Sequence, residues 1–355
     1  MSGPRYTSFR PGEEWLDTSG RPIQAHGGSV LELDGTFYWY GENKERTTPG
    51  SGIWHWGVRC YSSTDLYNWT DEGLIIPPEP DDASSPLHPG RGMDRPHIVR
   101  HPRTGRFVCW IKVMEGSVQL TTTLEAESIL GPYRKVRVDF RPLGMHAGDF
   151  DLVIDPDDGK GYYVFERVHS ELIIADLTDD LTDVTGYYST HFHHGRPPFT
   201  REAPAYFRRK GRRYLLTSGT TGYYPNASEV ATARSMHGPW TVLGDPHPDD
   251  ATRTSYRTQV SSVLRVPGRD LYIALGDRWL PDYEADGGEA YDLFDEYFAA
   301  LEDGAEDVGM RELTVPDPSR ARYVWLPLRF GADGAVRIDW RDEWRLDDVS
   351  SGAAG

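Results

Sequence analysis

One hairpin unit, repeated five times along the chain, limits what this sequence can fold into more than any other feature. The unit is a run of strand-forming residues, a turn containing Gly, and a second strand dense in Tyr, Phe and Trp. It occurs at Gly28–Glu42, Pro96–Ile111, Asp149–Phe165, Thr200–Gly219 and Gln259–Leu275. A Gly-bearing turn between β-branched and aromatic runs is a hairpin signal by itself. The turns recur about 50–70 residues apart, which suits one propeller blade per repeat with some long loops. More strand-like segments follow each hairpin, among them Gly57–Ser63, Val118–Thr122, Glu171–Ala175, Glu229–Ala233 and Arg322–Leu328. Four strands in each of five repeats predict an all-β fold, a five-bladed β-propeller, whose radial repetition leaves only short edges around a central channel. A β-sandwich is the competing all-β architecture, but it gives no reason for five copies of one unit.

The repeats argue for a single domain over residues 23–348. A polar extension at 1–22 is expected across the outside or bottom of the barrel, and a Ser/Gly/Ala tail at 349–355 is expected to fray. The last repeat is interrupted by an insertion at about 281–320, where Asp282–Asp307 carries many acids and no Lys or Arg. Apolar residues at 291, 294, 298 and 301 make a helical stripe, so a short amphipathic helix is expected on the propeller rim. A solvated decoration, a contact between copies and a part of the cleft all fit that stripe.

Charge and composition narrow the partners. A net charge of −17 argues against nucleic acid and anionic membrane surfaces, which need a basic face. A neutral or cationic ligand is easier to accommodate, and the many aromatics suit carbohydrate. The cysteines, Cys60 and Cys109, lie in predicted strands and read as buried thiols. No metal-ligand spacing appears: His191 and His193 alternate with Phe192 as strand residues do, and nothing calls for a cofactor. The first residues lack an apolar signal core, and no run approaches the roughly 18 apolar residues of a membrane span. A cytoplasmic location is the expectation; oligomeric state is not legible.

In a propeller, the innermost strand of each blade begins near one face of the channel, so the residues preceding those strands converge. Here they are His26, Asp94, Asp149, Glu202 and Gln259. Carboxylates gathered without a basic cluster suit acid–base work on a neutral substrate, as in glycoside hydrolysis. There an acid with a raised pKa protonates the leaving oxygen while a base activates water. One such acid alone would read as a turn cap; three at equivalent places in a repeat do not.

Short segments throughout the chain resemble glycoside hydrolase family 43, and within it the exo-β-1,3-galactanase group. They include Ala25–Gly28, Tyr38–Glu42, Cys60–Asp65, Arg95–Pro96, Arg201–Pro204, Thr217–Gly219, Thr221–Gly222, Pro225–Asn226, Gly276–Trp279 and Tyr323–Pro327. The resemblance implies that Glu202 is the general acid and that Asp149 tunes and orients it, with Asp151 a neighbour easily confused with Asp149. The wider family's base aspartate is missing, because Ala25-His26-Gly27 stands in its place. The galactanase group shares that loss, and Gln259 matches the glutamine thought to take over, by positioning the water or through an imidic-acid form. Asp94 stands where the group has Glu before Arg-Pro, one methylene shorter. Glu42 matches a ligand of sugar hydroxyls, and Thr221, Asn226 and His26 are assigned to the substrate with it. For His26, a buried hydrogen-bonding role is an equal alternative. Trp54, Trp56, Tyr223 and Tyr224 are the expected aromatic contacts to sugar faces.

The activity so implied is removal of a terminal galactose-like sugar from the non-reducing end of an oligo- or polysaccharide, with inversion. A β-galactofuranosidase or α-L-arabinofuranosidase on the same scaffold is the enzymatic alternative. A sugar-binding propeller without catalysis is the other, although a pure binder gains nothing from keeping an acid at Glu202.

Overall fold

A computed structural model describes residues 3, 5–284, 287–307 and 309–349. Its strands form five four-stranded antiparallel meanders, each in simple sequence order. Blade 1 is β1 (His26–Leu33), β2 (Thr36–Glu42), β3 (Val58–Ser63) and β4 (Thr70–Ile76). Blade 2 is β5 (Gly92–Arg100), β6 (Phe107–Glu115), β7 (Val118–Ala126) and β8 (Arg134–Phe140). Blade 3 is β9 (Ala147–Ile154), β10 (Gly161–Arg167), β11 (Glu171–Leu177) and β12 (Val184–His191). Blade 4 is β13 (Arg201–Arg209), β14 (Arg212–Gly219), β15 (Glu229–Ala233) and β16 (Thr241–Gly244). Blade 5 is β17 (Gln259–Arg265), β18 (Tyr272–Arg278), β19 (Arg322–Phe330) and β20 (Val336–Ile338). Contacts between β17 and β1 close the ring, and the five-bladed propeller stands as expected.

Each seam between blades holds an apolar cluster, because alternate residues of one strand point to opposite sheet faces. Along β6, Cys109 and Ile111 join Tyr40 and Val58 in the seam of blades 1 and 2. Val108 and Trp110 turn the other way and pack with Phe150 and Tyr163 of blade 3. That double burial is why β6 is apolar almost without interruption. Cys60 and Cys109 are buried free thiols. The seam of blades 5 and 1 is built from aromatic rings: Trp39 packs on Trp325 at 4.6 Å and on Trp69 at 5.3 Å. The N-terminal segment does not lie outside the barrel throughout. Phe9 enters this same seam and stacks on Trp344 at 4.3 Å.

The inserted helix α1 (Gly287–Glu302) leaves blade 5 between β18 and β19. Of the tail, Val349 packs against the seam cluster, and 350–355 lie outside the described residues. Among the described residues, no helix is long and apolar enough to cross a membrane. Nor does any group of His, Cys, Asp and Glu among them have the geometry to hold a metal ion.

Candidate active site

The heads of the innermost strands are bent by β-bulges. The register slips between His26 and Ser29 in β1, Asp94 and His97 in β5, Glu202 and Ala205 in β13, and Val260 and Ser262 in β17. A bulge re-aims the side chain beside it. At two of them the residue before a proline takes a left-handed backbone, Arg95 at φ 52° and Ala203 at φ 47°. Steric repulsion from the proline ring normally drives that residue to extended geometry. Backbone strain of this kind persists only where its surroundings over-determine it. Here it turns Asp94 and Glu202 into one cavity of about 320 Å³ at the channel mouth, which Asp149, Gln259 and Glu42 also line.

Acids and bases alternate along the cavity floor. Lys44 Nζ lies 2.8 Å from Glu42 Oε2 and 3.5 Å from Asp94 Oδ1. Lys112 Nζ lies 3.4 Å from Asp94 Oδ2 and 2.8 Å from Asp149 Oδ1. Arg95 Nη2 completes the row, 2.9 Å from Asp149 Oδ2. Burial works to raise both aspartates, but Lys112 and Lys44 hold Asp94 well below the usual carboxylate range. Arg95 and Lys112 do the same for Asp149. Burial wins at Glu42, whose carboxyl is pushed up to about 8 against the pull of Lys44. Its Oε1 accepts the Arg95 backbone N–H at 2.9 Å. Gly27, at φ 60°, makes room for that oxygen, since a Cβ there would collide with it.

Glu202 differs from the other carboxyls lining the cavity. Among the described residues it has no cation within ion-pair distance, whereas Glu42, Asp94 and Asp149 each have at least one. Its pKa is raised well above the ordinary value, first by burial and then by the charges of Asp149 and Glu166. Glu166 is itself pushed up to about 7, chiefly by burial. Gln259 Nε2 donates to Glu202 Oε1 at 3.0 Å and to Ser218 Oγ at 3.0 Å, and Arg95 donates to Gln259 Oε1. Arginine has no acceptor, so the amide oxygen must face it. In the amide form both hydrogens of Nε2 are then engaged, by Glu202 and Ser218.

Asp151 is distinct from Asp149. It accepts the Tyr206 backbone N–H of β13 at 2.7 Å and ties blade 3 to blade 4. Other residues assigned to the substrate by resemblance turn inward instead. His26 is fully buried, 3.0 Å from Asp277 and 3.2 Å from the Tyr323 hydroxyl, and stacks on the Tyr323 ring. Asn226 bonds both backbone polar groups of Gly219 and the Thr221 hydroxyl, and Thr221 bonds the Tyr224 carbonyl. Both are spent on holding the loop after β14. Tyr224 receives the Leu313 backbone N–H at 2.9 Å and so anchors the insertion. Trp56 lies under the Arg46 guanidinium at 3.7 Å, away from the cavity. Trp54 and Tyr223 do line it, their rings stacked at 6.2 Å, and Trp54 Nε1 donates to Asp94 at 2.6 Å.

Lys44, Lys112, Glu166, Trp279 and the insertion's Phe294 and Phe298 were not foreseen at the site. Lys112 carried a readable signal: lysine is rarely buried unless paired, and this one interrupts the apolar run of β6.

Comparison with known proteins bears on the family and the fold. The model of glycosyl hydrolases family 43 matches residues 22–277. A solved GH43 beta 1,3 galactosidase is 28% identical with a TM-score of 0.78, covering 97% of this chain and 64% of its own. A second beta 1,3 galactosidase, with galactodeoxynojirimycin, is 28% identical with a TM-score of 0.77, covering 95% of this chain and 100% of its own. An exo-beta-1,3-galactanase from Phanerochaete chrysosporium, with beta-1,3-galactotriose, is 25% identical with a TM-score of 0.76 over 96% and 68%. An Escherichia coli (strain K12) protein named "Putative beta-xylosidase" is 24% identical over 319 residues, and the match spans 82% of this chain and half of that protein's length. With a family match across most of the propeller, the chain belongs to glycosyl hydrolases family 43.

Proposed function

We propose that the protein hydrolyses glycosides, releasing a terminal galactose-like sugar from the non-reducing end with inversion. The observation that carries this is the isolation of Glu202, the one carboxyl lining the cavity that is buried without a cation among the described residues. A carboxyl so placed keeps its proton near neutrality and can give it to a leaving oxygen. Its Oε1 accepts from Gln259, which leaves Oε2 to carry that proton. Asp149, charged and fixed by Arg95 and Lys112, orients this arrangement and keeps the acid's pKa high. Asp94 stays ionised between Lys112 and Lys44 and accepts a hydrogen of the attacking water, with Gln259 bounding the water's position. Glu42 accepts sugar hydroxyls, and the Trp54 and Tyr223 rings offer a face for the apolar side of the sugar. Galactose is the choice of sugar because beta 1,3 galactosidases and exo-beta-1,3-galactanases are among the most similar solved structures.

The test is Glu202→Gln, assayed beside wild type on β-1,3-galactobiose, p-nitrophenyl β-galactopyranoside and the corresponding β-galactofuranoside, α-arabinofuranoside and β-xyloside. General acid catalysis contributes about 10²–10⁴-fold, so a loss of that size is expected on galactobiose. The loss should be smaller on p-nitrophenyl galactoside, whose leaving group needs no proton. A variant as active as an active wild type would remove Glu202 from the role of acid, and silence of both proteins on every substrate would leave only a sugar-binding role.

A further inference from the structure

The cavity has two unlike walls. The floor is the charged row from Glu42 to Arg95. The lining also includes an apolar part: Phe294, Phe298 and Met310 of the insertion, with Met114 at the end of β6. None of these four side chains has a strong donor or acceptor. Gln119 and His169 line the same cavity, and Tyr223 and Trp279 pack in one cluster with the three residues of the insertion. The Oε1 of Gln119 is buried and has no hydrogen-bond partner among the described residues.

This wall sits on the acid's side. Glu166, whose charge acts on Glu202, accepts the His169 backbone N–H at 2.8 Å. The His169 ring in turn meets Phe298 edge-on at 5.0 Å. The leaving oxygen must approach Glu202, so whatever that oxygen is bonded to lies beneath α1. The helix is fixed across this opening. Tyr291 packs against Phe199 at 6.2 Å, and Arg196 holds Asp295 at 2.5 Å and Glu302 at 3.0 Å. A polysaccharide here would bring hydroxyls on every ring to face methionine and phenylalanine, with little to bond them. A hydrophobic group would bury its surface on the same wall and leave one contact for Gln119.

We propose that the insertion builds a leaving-group subsite for an apolar, ring-sized aglycone, so that the substrates are glycosides of hydrophobic alcohols or phenols rather than galactan chains. This rests on the glycosidase reading above and specifies its substrate class.

The test compares 2-phenylethyl β-galactoside with ethyl β-galactoside, whose leaving alcohols are closely matched in acidity, and with β-1,3-galactobiose. The 2-phenylethyl β-xyloside and α-arabinofuranoside are run alongside, on wild type, Phe298→Ala and Met310→Gln. Filling a hydrophobic pocket raises kcat/KM by about tenfold or more, so the phenylethyl galactoside should exceed the ethyl one by that ratio. The ratio should collapse toward one in either variant. Galactobiose cleaved as well as the phenylethyl galactoside, or a ratio surviving in both variants, overturns the aglycone subsite and leaves the galactosidase intact. Turnover confined to a phenylethyl pentoside, with the same dependence on Phe298, supports the subsite and removes galactose. Silence on every substrate overturns both.

Discussion

A carboxyl donates a proton near neutrality only where its ionised form is made costly, and at Glu202 burial, Asp149 and Glu166 all do so. Asp149 cannot be removed cleanly, because Arg95 and Lys112 would lose their partner. Glu166 can be replaced by its isostere, since no cation lies within ion-pair distance of it among the described residues and the backbone N–H groups it accepts, those of His169 and Asp149, can be accepted by a glutamine carbonyl. Glu166→Gln should therefore lower the pKa of Glu202. The acid must be protonated to act, so activity is lost as pH rises through that pKa, and the basic limb of kcat/KM should move to lower pH. Glu166 itself titrates at about 7, so its repulsion is felt only above that value, which is where the limb should be followed. A limb that stays in place would show that burial and Asp149 set the acid without Glu166. Glu202, Asp149, Asp94 and Gln259 were legible because each heads an innermost strand, and topology brings those heads together. Lys112 was legible only as a buried lysine in need of a partner, and Lys44 not at all, because nothing in a sequence says that two lysines will thread between acids from three blades. His26 takes the buried, hydrogen-bonded place that was its equal alternative, whereas Thr221 and Asn226 turn inward for another reason. A motif shared with a family does not separate a residue that touches the sugar from one that holds the loop beside it.

Helix α1 was legible as an element but not by destination. Its stripe at 291, 294, 298 and 301 marks an apolar face, and the structure places the helix at Gly287–Glu302. What meets that face depends on residues far away in sequence: Phe199 and Gly219 at Tyr291, and His169 at Phe298. Arg196, held by Asp295 and Glu302, is a strut on the solvent side of the helix. Exposed ion pairs of this kind add little to global stability. They matter more for a marginal element, whose local opening need not involve the rest of the fold. Arg196→Met should leave Tm almost unchanged while chymotrypsin cuts faster within α1, at Tyr291, Phe294, Tyr297 or Phe298. A drop in Tm with no change in the cleavage rate would mean that the strut supports the propeller instead.

A propeller must close, and its last seam decides whether the ring holds. Blades 1 and 5 come from opposite ends of the chain, so the contact between β1 and β17 has the largest loop-closure cost in the fold. The structure concentrates its largest rings there, Trp15, Trp39, Trp69, Trp325 and Trp344, and brings the N-terminal segment across to complete them. Phe9 exchanges backbone hydrogen bonds with Trp344, N to O at 2.8 Å and 3.1 Å, and its ring fills the space between Trp344 and Tyr67. It thus joins a residue before blade 1 to one after blade 5. Phe9→Ala would open a cavity in that packing at a cost of about 3–5 kcal/mol, typical of a buried phenylalanine. None of the aromatic neighbours of Phe9 lines the catalytic cavity, so kcat per folded molecule below the transition should not change. Chemical denaturation should show the full loss, and hydrogen exchange should quicken first in β1 and β17, where the two blades meet. Exchange that quickens equally in all five blades would mean that the ring unfolds only as a whole, with no weaker seam at the chain ends.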